Sequence, residues 1–178
     1  MKLLRTIRLD PSDTFIFSAA AEPGEWAISG AFVFSDVELA TLEGKELSAF
    51  RSGFLGVPSL GWSTLAQVVE ADAKDRNATI DLAARCLLDC FGAPDLAAAH
   101  KAAEEEIDFV ASLCDHPLGT LIAVRRTIEG GTIREAFRSL RPRGGPKRWR
   151  TFSFSDVEIE DEPTETVDLA TLLRGERA

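Results

Sequence analysis

The chain has 178 residues, 45 % of them hydrophobic and 28 % charged, with a formal net charge of −9. That length suits one domain able to bury a sizeable core without a disulfide or metal, and no apolar run approaches the roughly 18 residues of a membrane span. The negative balance disfavours nonspecific nucleic-acid binding.

The opening stretch, Met1-Lys2-Leu3-Leu4-Arg5-Thr6-Ile7-Arg8, is too charged for a secretory leader. With an odd count of three cysteines, it reads as the start of a cytoplasmic chain whose thiols stay reduced. Alternation predicts strands over residues 3–9 and 14–19, separated by the turn chemistry of Asp10-Pro11-Ser12-Asp13. A third strand is expected over 26–34, with Gly30 as a bulge, so the first 34 residues read as an antiparallel meander. A helix follows to about residue 50. The stretch 52–61 holds three Gly and one Pro among bulky apolar residues and reads as an irregular loop. Residues 62–71 resume as a strand.

Residues 78–91 form a predicted helix with Ile80, Ala83, Ala84, Leu87, Leu88 and Phe91 along its buried stripe. Gly92-Ala93-Pro94-Asp95 stops it and starts a second helix over about 95–114, whose inward residues are Leu96, Ala99, Ala103, Ile107, Val110 and Leu113. The short connection makes the two an antiparallel pair. A strand over 120–128, a hairpin turn at Glu129-Gly130-Gly131-Thr132 and a return strand over 132–140 come next. The last strand is expected over 149–159.

The octet Phe32-Val33-Phe34-Ser35-Asp36-Val37-Glu38-Leu39 returns 120 residues later as Phe152-Ser153-Phe154-Ser155-Asp156-Val157-Glu158-Ile159, with six positions identical. Each copy reads as a strand ending at a capping-box spacing, one device used twice. Convergence of strand-end residues explains the match as well as duplication does.

These elements imply an α+β fold: an antiparallel sheet built from N- and C-terminal strand units, packed on a central antiparallel helix pair. Residues 1–159 form the single domain. Residues 160–178 form an acidic C-terminal tail, with one short amphipathic helix expected around Val167-Asp168-Leu169-Ala170-Thr171-Leu172-Leu173.

Charge is unevenly placed. Residues 1–124 carry net −10, residues 125–150 net +7 and residues 151–178 net −6. The basic segment contains Arg141, Arg143, Lys147 and Arg148 beside Trp149, a set able to hold an anion, a nucleotide or an acidic partner. The alternative is a hairpin loop whose charges pair with the acidic tail. Phe54 and Leu55, in the Gly-rich loop, and Trp62 after it suit a ligand mouth or a subunit contact. There the alternative is a loop folded over the domain's own core.

Cys86, Cys90, Cys114 and His116 have the residue types of a zinc site, but antiparallel helices place Cys114 far from Cys90. No metal or cofactor is expected. Cys114-Asp115-His116 is too contiguous for a catalytic set, since such groups converge from distant segments. Glu104, Glu105 and Asp108 fall on the outer face of their helix.

Three stretches together, Phe50-Arg51-Ser52-Gly53-Phe54-Leu55-Gly56, Gly92-Ala93-Pro94-Asp95-Leu96 and Cys114-Asp115-His116-Pro117-Leu118-Gly119-Thr120-Leu121, resemble an uncharacterised bacterial family, a domain of unknown function covering nearly the whole chain. The resemblance brings no activity, cofactor or catalytic residue. It implies an accessory role, because such proteins accompany biotin/lipoate-ligase-like proteins. The expectation is a non-catalytic binding or accessory protein acting through self-association, as a homodimer or other homo-oligomer, or through a protein partner, without membrane or nucleic acid. The alternative is a small-molecule enzyme, or an anion- or nucleotide-binding domain, with its pocket between sheet and helices.

Overall fold

The computed structural model describes residues 1–142 and 157–159. Its main sheet is antiparallel and five-stranded, in the order β1 (Lys2–Ile7), β5 (Leu65–Glu70), β6 (Leu121–Glu129), β7 (Thr132–Pro142) and β8 (Val157–Ile159). Strand β1 and the later strands β6, β7 and β8 therefore enter one sheet, with the mid-chain strand β5 between them. A second sheet joins three short strands, β2 (Ala27–Ile28), β3 (Phe54–Gly56) and β4 (Trp62–Ser63). The described residues also form four α-helices: α1 (Ser12–Ile16), α2 (Gly44–Ser52), α3 (Ala73–Cys90) and α4 (Leu96–Ser112). This is an α+β protein. No described helix is long and apolar enough to cross a membrane.

The helix pair forms where its apolar spacing places it. Ala83 and Ala84 of α3 and Ala99, Ala103, Ile107 and Val110 of α4 are buried in one core with Leu4, Val68, Ile122 and Val124 of the sheet. Small residues on both helices let them approach closely. Helix α3 begins five residues earlier than its apolar stripe predicts, because Asp72 and Asp75 cap it reciprocally. The Asp75 amide donates to Asp72 Oδ1 at 2.7 Å, and the Asp72 amide donates to Asp75 Oδ2 at 3.2 Å. Leu88 and Leu96, expected inside, are 36 % and 51 % exposed, and both lie beside the turn that joins the two helices. The β6–β7 hairpin turns at Gly130-Gly131, both at positive φ, which fixes the register as Glu129 opposite Thr132 and Arg126 opposite Glu135.

The N-terminal meander does not form. Residues 12–16 are the helix α1 rather than a strand. The Ser12 amide donates to Asp10 Oδ1 at 2.7 Å and the Thr14 hydroxyl donates to the Pro11 carbonyl at 2.6 Å, so local polar bonds wind the chain against its alternation. The strand expected over 26–34 stops at Ile28. Gly30 adopts φ +74° and turns the chain into a 3-10 turn, Ala31–Phe34. The helix expected to run to residue 50 is reduced to a 3-10 turn, Leu39–Thr41, and the nine-residue α2.

Over its last three positions the octet is accordingly not a repeat of structure. Val37-Glu38-Leu39 lies in bends and a 3-10 turn with no side-chain cap, whereas Val157-Glu158-Ile159 is strand β8. Residues 152–156 lie outside the described residues, as do the tail 160–178 and the greater part of the last expected strand.

Candidate functional site

Two features meet at α2. The first is a buried polar node. Arg126 follows Ile122 and Val124 at every second position of β6, so it faces the interior with them. Its side chain is fully buried. Its Nε donates to Glu135 Oε1 across the hairpin at 2.7 Å. One terminal nitrogen donates to the Phe50 carbonyl at 3.0 Å and the Gly53 carbonyl at 2.8 Å. The other donates to the Ser29 carbonyl. The Ser29 hydroxyl donates in turn to Glu135 Oε1 at 2.5 Å. A cation thus satisfies carbonyls that the end of α2 leaves without partners, where the helix dipole favours positive charge. The same cation fastens β2, α2 and the β6–β7 hairpin to one another.

Glu106 of α4 is the third ionisable group of the node. Burial, reinforced by the charge of Glu135 and opposed by Arg126, pushes its carboxyl up to about 7. Its Oε2 is buried and finds no hydrogen-bond partner among the described residues. Burial also lowers the Arg126 guanidinium, against the pull of Glu135.

The second feature is an apolar cleft of about 310 Å³ on the other side of α2. Ser18 and Ala19, just after α1, form one wall, and Val33, Phe34 and Val37 form the next. Leu42, Lys45, Glu46 and Ala49 close it from α2 and the turn before it. Trp62 lies at the base, stacked on Phe34 with centroids 5.4 Å apart, and Phe34 meets Phe50 edge-on at 5.3 Å. Trp62 fits because glycine stands behind it. A Cβ on Gly53 would lie 2.6 Å from Trp62 Cε3 and 2.8 Å from the Ala49 carbonyl. Beside this cleft α1 presents Phe15, which is 73 % exposed.

With both features in place, comparison with known proteins identifies the fold's kin. The chain belongs to a family of unknown function, DUF6505, whose family model matches residues 1–149. No curated protein and no solved structure matches it. The matched span includes every residue that lines the cleft and all members of the Arg126 node.

Of the residues singled out from the sequence, Trp62 is half-buried and lines the cleft. Phe54 and Leu55 are instead interior residues of β3, 0 % and 2 % exposed, with Phe54 packed near Phe137 at 6.2 Å. The Gly-rich stretch expected as an irregular loop instead contains strand β3, which its pairing with both β2 and β4 draws into the core. Arg141 sits in β7 opposite Glu158. Arg143, Lys147, Arg148 and Trp149 lie outside the described residues.

The cysteines are scattered. Cys90 is exposed, Cys86 is half-buried with its Sγ 3.6 Å from the Val57 carbonyl, and Cys114 is buried. Burial pushes the Cys114 thiol up to about 11, which holds it in the unreactive protonated form. His116 offers its backbone carbonyl to Lys2 Nζ at 2.6 Å. Among the described residues no group of three or more His, Cys, Asp or Glu is placed to hold a metal. Glu104 and Asp108 pair with Arg76 of α3 at 3.2 and 2.6 Å on the outer face.

The residues that sequence reasoning missed are Arg126, Glu135, Glu106 and Ser29. The signal for the first two was present: strand alternation puts Arg126 inward, and a two-glycine hairpin turn sets Glu135 opposite it.

Proposed function

We propose that this protein is a binding or accessory protein that receives an apolar segment of a protein partner in the α1–α2 cleft. The cleft itself carries this reading. It is concave, its base is Trp62 and Phe34, and Lys45 and Glu46 are the charged residues along it. That composition suits apolar side chains held by shape, with two charges to fix orientation. The polar node supports the same reading, because it holds α2 and the 29–34 segment, two walls of the cleft, at a fixed separation.

A photo-crosslinking residue at Lys45 of the full chain, activated in the native cell, tests it. The expected product is an adduct of one mass whose joined peptide is apolar, absent when Val37→Glu places a charge in the cleft. Adducts unchanged by Val37→Glu would sink the reading.

A further inference from the structure

We infer that the partner segment seated in this cleft is basic as well as apolar. Its bulky side chains enter the cleft, and flanking lysines or arginines meet an acidic rim. The inference rests on the reading of the cleft as a receptor and names the chemistry of what it receives.

The rim is the run of chain that walls the cleft ahead of α2 and through its first turn. Residues 35–46 hold Asp36, Glu38, Glu43 and Glu46 against one cation, Lys45, a net charge of −3. All five are exposed. They alternate with the apolar lining: Asp36 and Glu38 flank Val37, Glu43 follows Leu42, and Glu46 lines the cleft beside Lys45.

Among the described residues these carboxylates have no structural partner. Glu38 stands at the start of the 3-10 turn Leu39–Thr41 and Glu43 at the start of α2, yet neither side chain caps. None of the four joins an ion pair there, whereas acids elsewhere do: Glu104 and Asp108 with Arg76, Glu105 with Lys101, and Glu135 with Arg126. Like charges gathered around one opening repel each other, and a cationic partner relieves that repulsion.

Size makes the rim matter. A cleft of about 310 Å³ is at the small end of ligand pockets. It admits a few side chains and leaves the rest of the segment beside the carboxylates. The same charge disfavours other occupants. A second copy would set one rim of −3 against another, and a nucleic acid or an anionic membrane would meet its own sign.

The experiment titrates the full chain with a dye-labelled peptide carrying leucines at i, i+3, i+4 and i+7 and lysines between them, read by fluorescence anisotropy at low salt. A copy with glutamate for lysine is the second probe. The lysine peptide should bind the more tightly, by at least about tenfold. Asp36→Asn, Glu38→Gln, Glu43→Gln and Glu46→Gln together should weaken it by about tenfold. The same number of exposed acids neutralised elsewhere, by Glu70→Gln, Asp81→Asn, Glu105→Gln and Asp115→Asn, should change it by less than about twofold. Equal weakening by the two sets, equal binding of the two peptides, or binding of neither would overturn the inference.

Val37→Glu separates this inference from the reading beneath it, because it puts a carboxylate under the apolar contact whatever the rim does. Binding lost with Val37→Glu but kept with the rim set overturns the basic partner and leaves the receptor standing. Binding unchanged by either overturns both. In the native cell the Lys45 adduct should join a peptide with lysine or arginine next to its apolar residues, and a joined peptide without them overturns the inference alone.

Discussion

The Arg126 node and the apolar cleft use two sides of the same helix. In the node, the C-terminal carbonyl of α2 at Phe50 and that of Gly53 just beyond it take hydrogen bonds from a fully buried guanidinium. In the cleft, Lys45, Glu46 and Ala49 of the same helix face an open apolar space. Hydrogen bonds to a buried charge are directional, and each lost partner leaves an uncompensated group. Apolar contact is non-directional and tolerates change at its rim. The node should therefore decide whether the fold holds, and the cleft should decide what it holds.

The sharpest way to break that contrast is Arg126→Met. It leaves the Glu135 carboxylate and the carbonyls of Ser29, Phe50 and Gly53 without their donor, an expected loss of about 3–5 kcal/mol in urea unfolding. Adding Glu135→Leu removes the orphaned charge and should recover part of that loss. A single variant as stable as the parent would show that the node is not the fastener.

Gly53→Ala comes next. Its Cβ would meet Trp62 Cε3 at 2.6 Å and the Ala49 carbonyl at 2.8 Å, for an expected cost of about 1–3 kcal/mol. Because Trp62 is the base of the cleft, near-ultraviolet circular dichroism should change with it. Unaltered spectra would show that the base does not depend on Gly53.

The effect of pH is smaller. The Glu106 carboxyl, raised from 4.5 to about 7, binds its proton more tightly folded than unfolded. Its favourable contribution is thus complete below about 4.5 and is lost as pH rises toward 7. Glu106→Gln should flatten that fall and leave the protein more stable above pH 7, by about 1–2 kcal/mol after allowance for partial solvent access. An unchanged pH profile would mean that the carboxyl is solvated.

The smallest effect belongs to the rim. Val37 is 39 % exposed, so Val37→Glu should shift stability by no more than about 0.5 kcal/mol while abolishing the Lys45 adduct. A large loss of stability would erase the distinction between the two regions.

How far the sequence could be read follows from the type of interaction that decides each segment. The helix pair, the two-glycine hairpin and the sheet joining early and late strands are set by apolar period and turn chemistry, and they were legible. Residues 10–41 were not. There Asp10 and Thr14 bond to neighbouring backbone, Asp13 accepts from the Thr64 hydroxyl at 2.9 Å, and Gly30 turns the chain, all overriding an alternation that looked like strands. Trp62, singled out from its type, lines the cleft. The walls around it were not legible, since they come from three segments brought together only by the fold. Arg126 shows the reverse case: strand alternation fixes its inward register, but its partners at Ser29, Phe50 and Gly53 come from distant segments.

The guanidinium of Arg126 addresses main-chain oxygens at Ser29, Phe50 and Gly53, and a side chain chiefly at Glu135. Main-chain oxygens are supplied by any residue. Selection on the clamp therefore falls on positions 126 and 135, leaving 50 free to drift with its apolar neighbours. Among relatives, the substitutions expected to travel together are those at 126 and 135, and a family member that loses the arginine should have lost the glutamate with it.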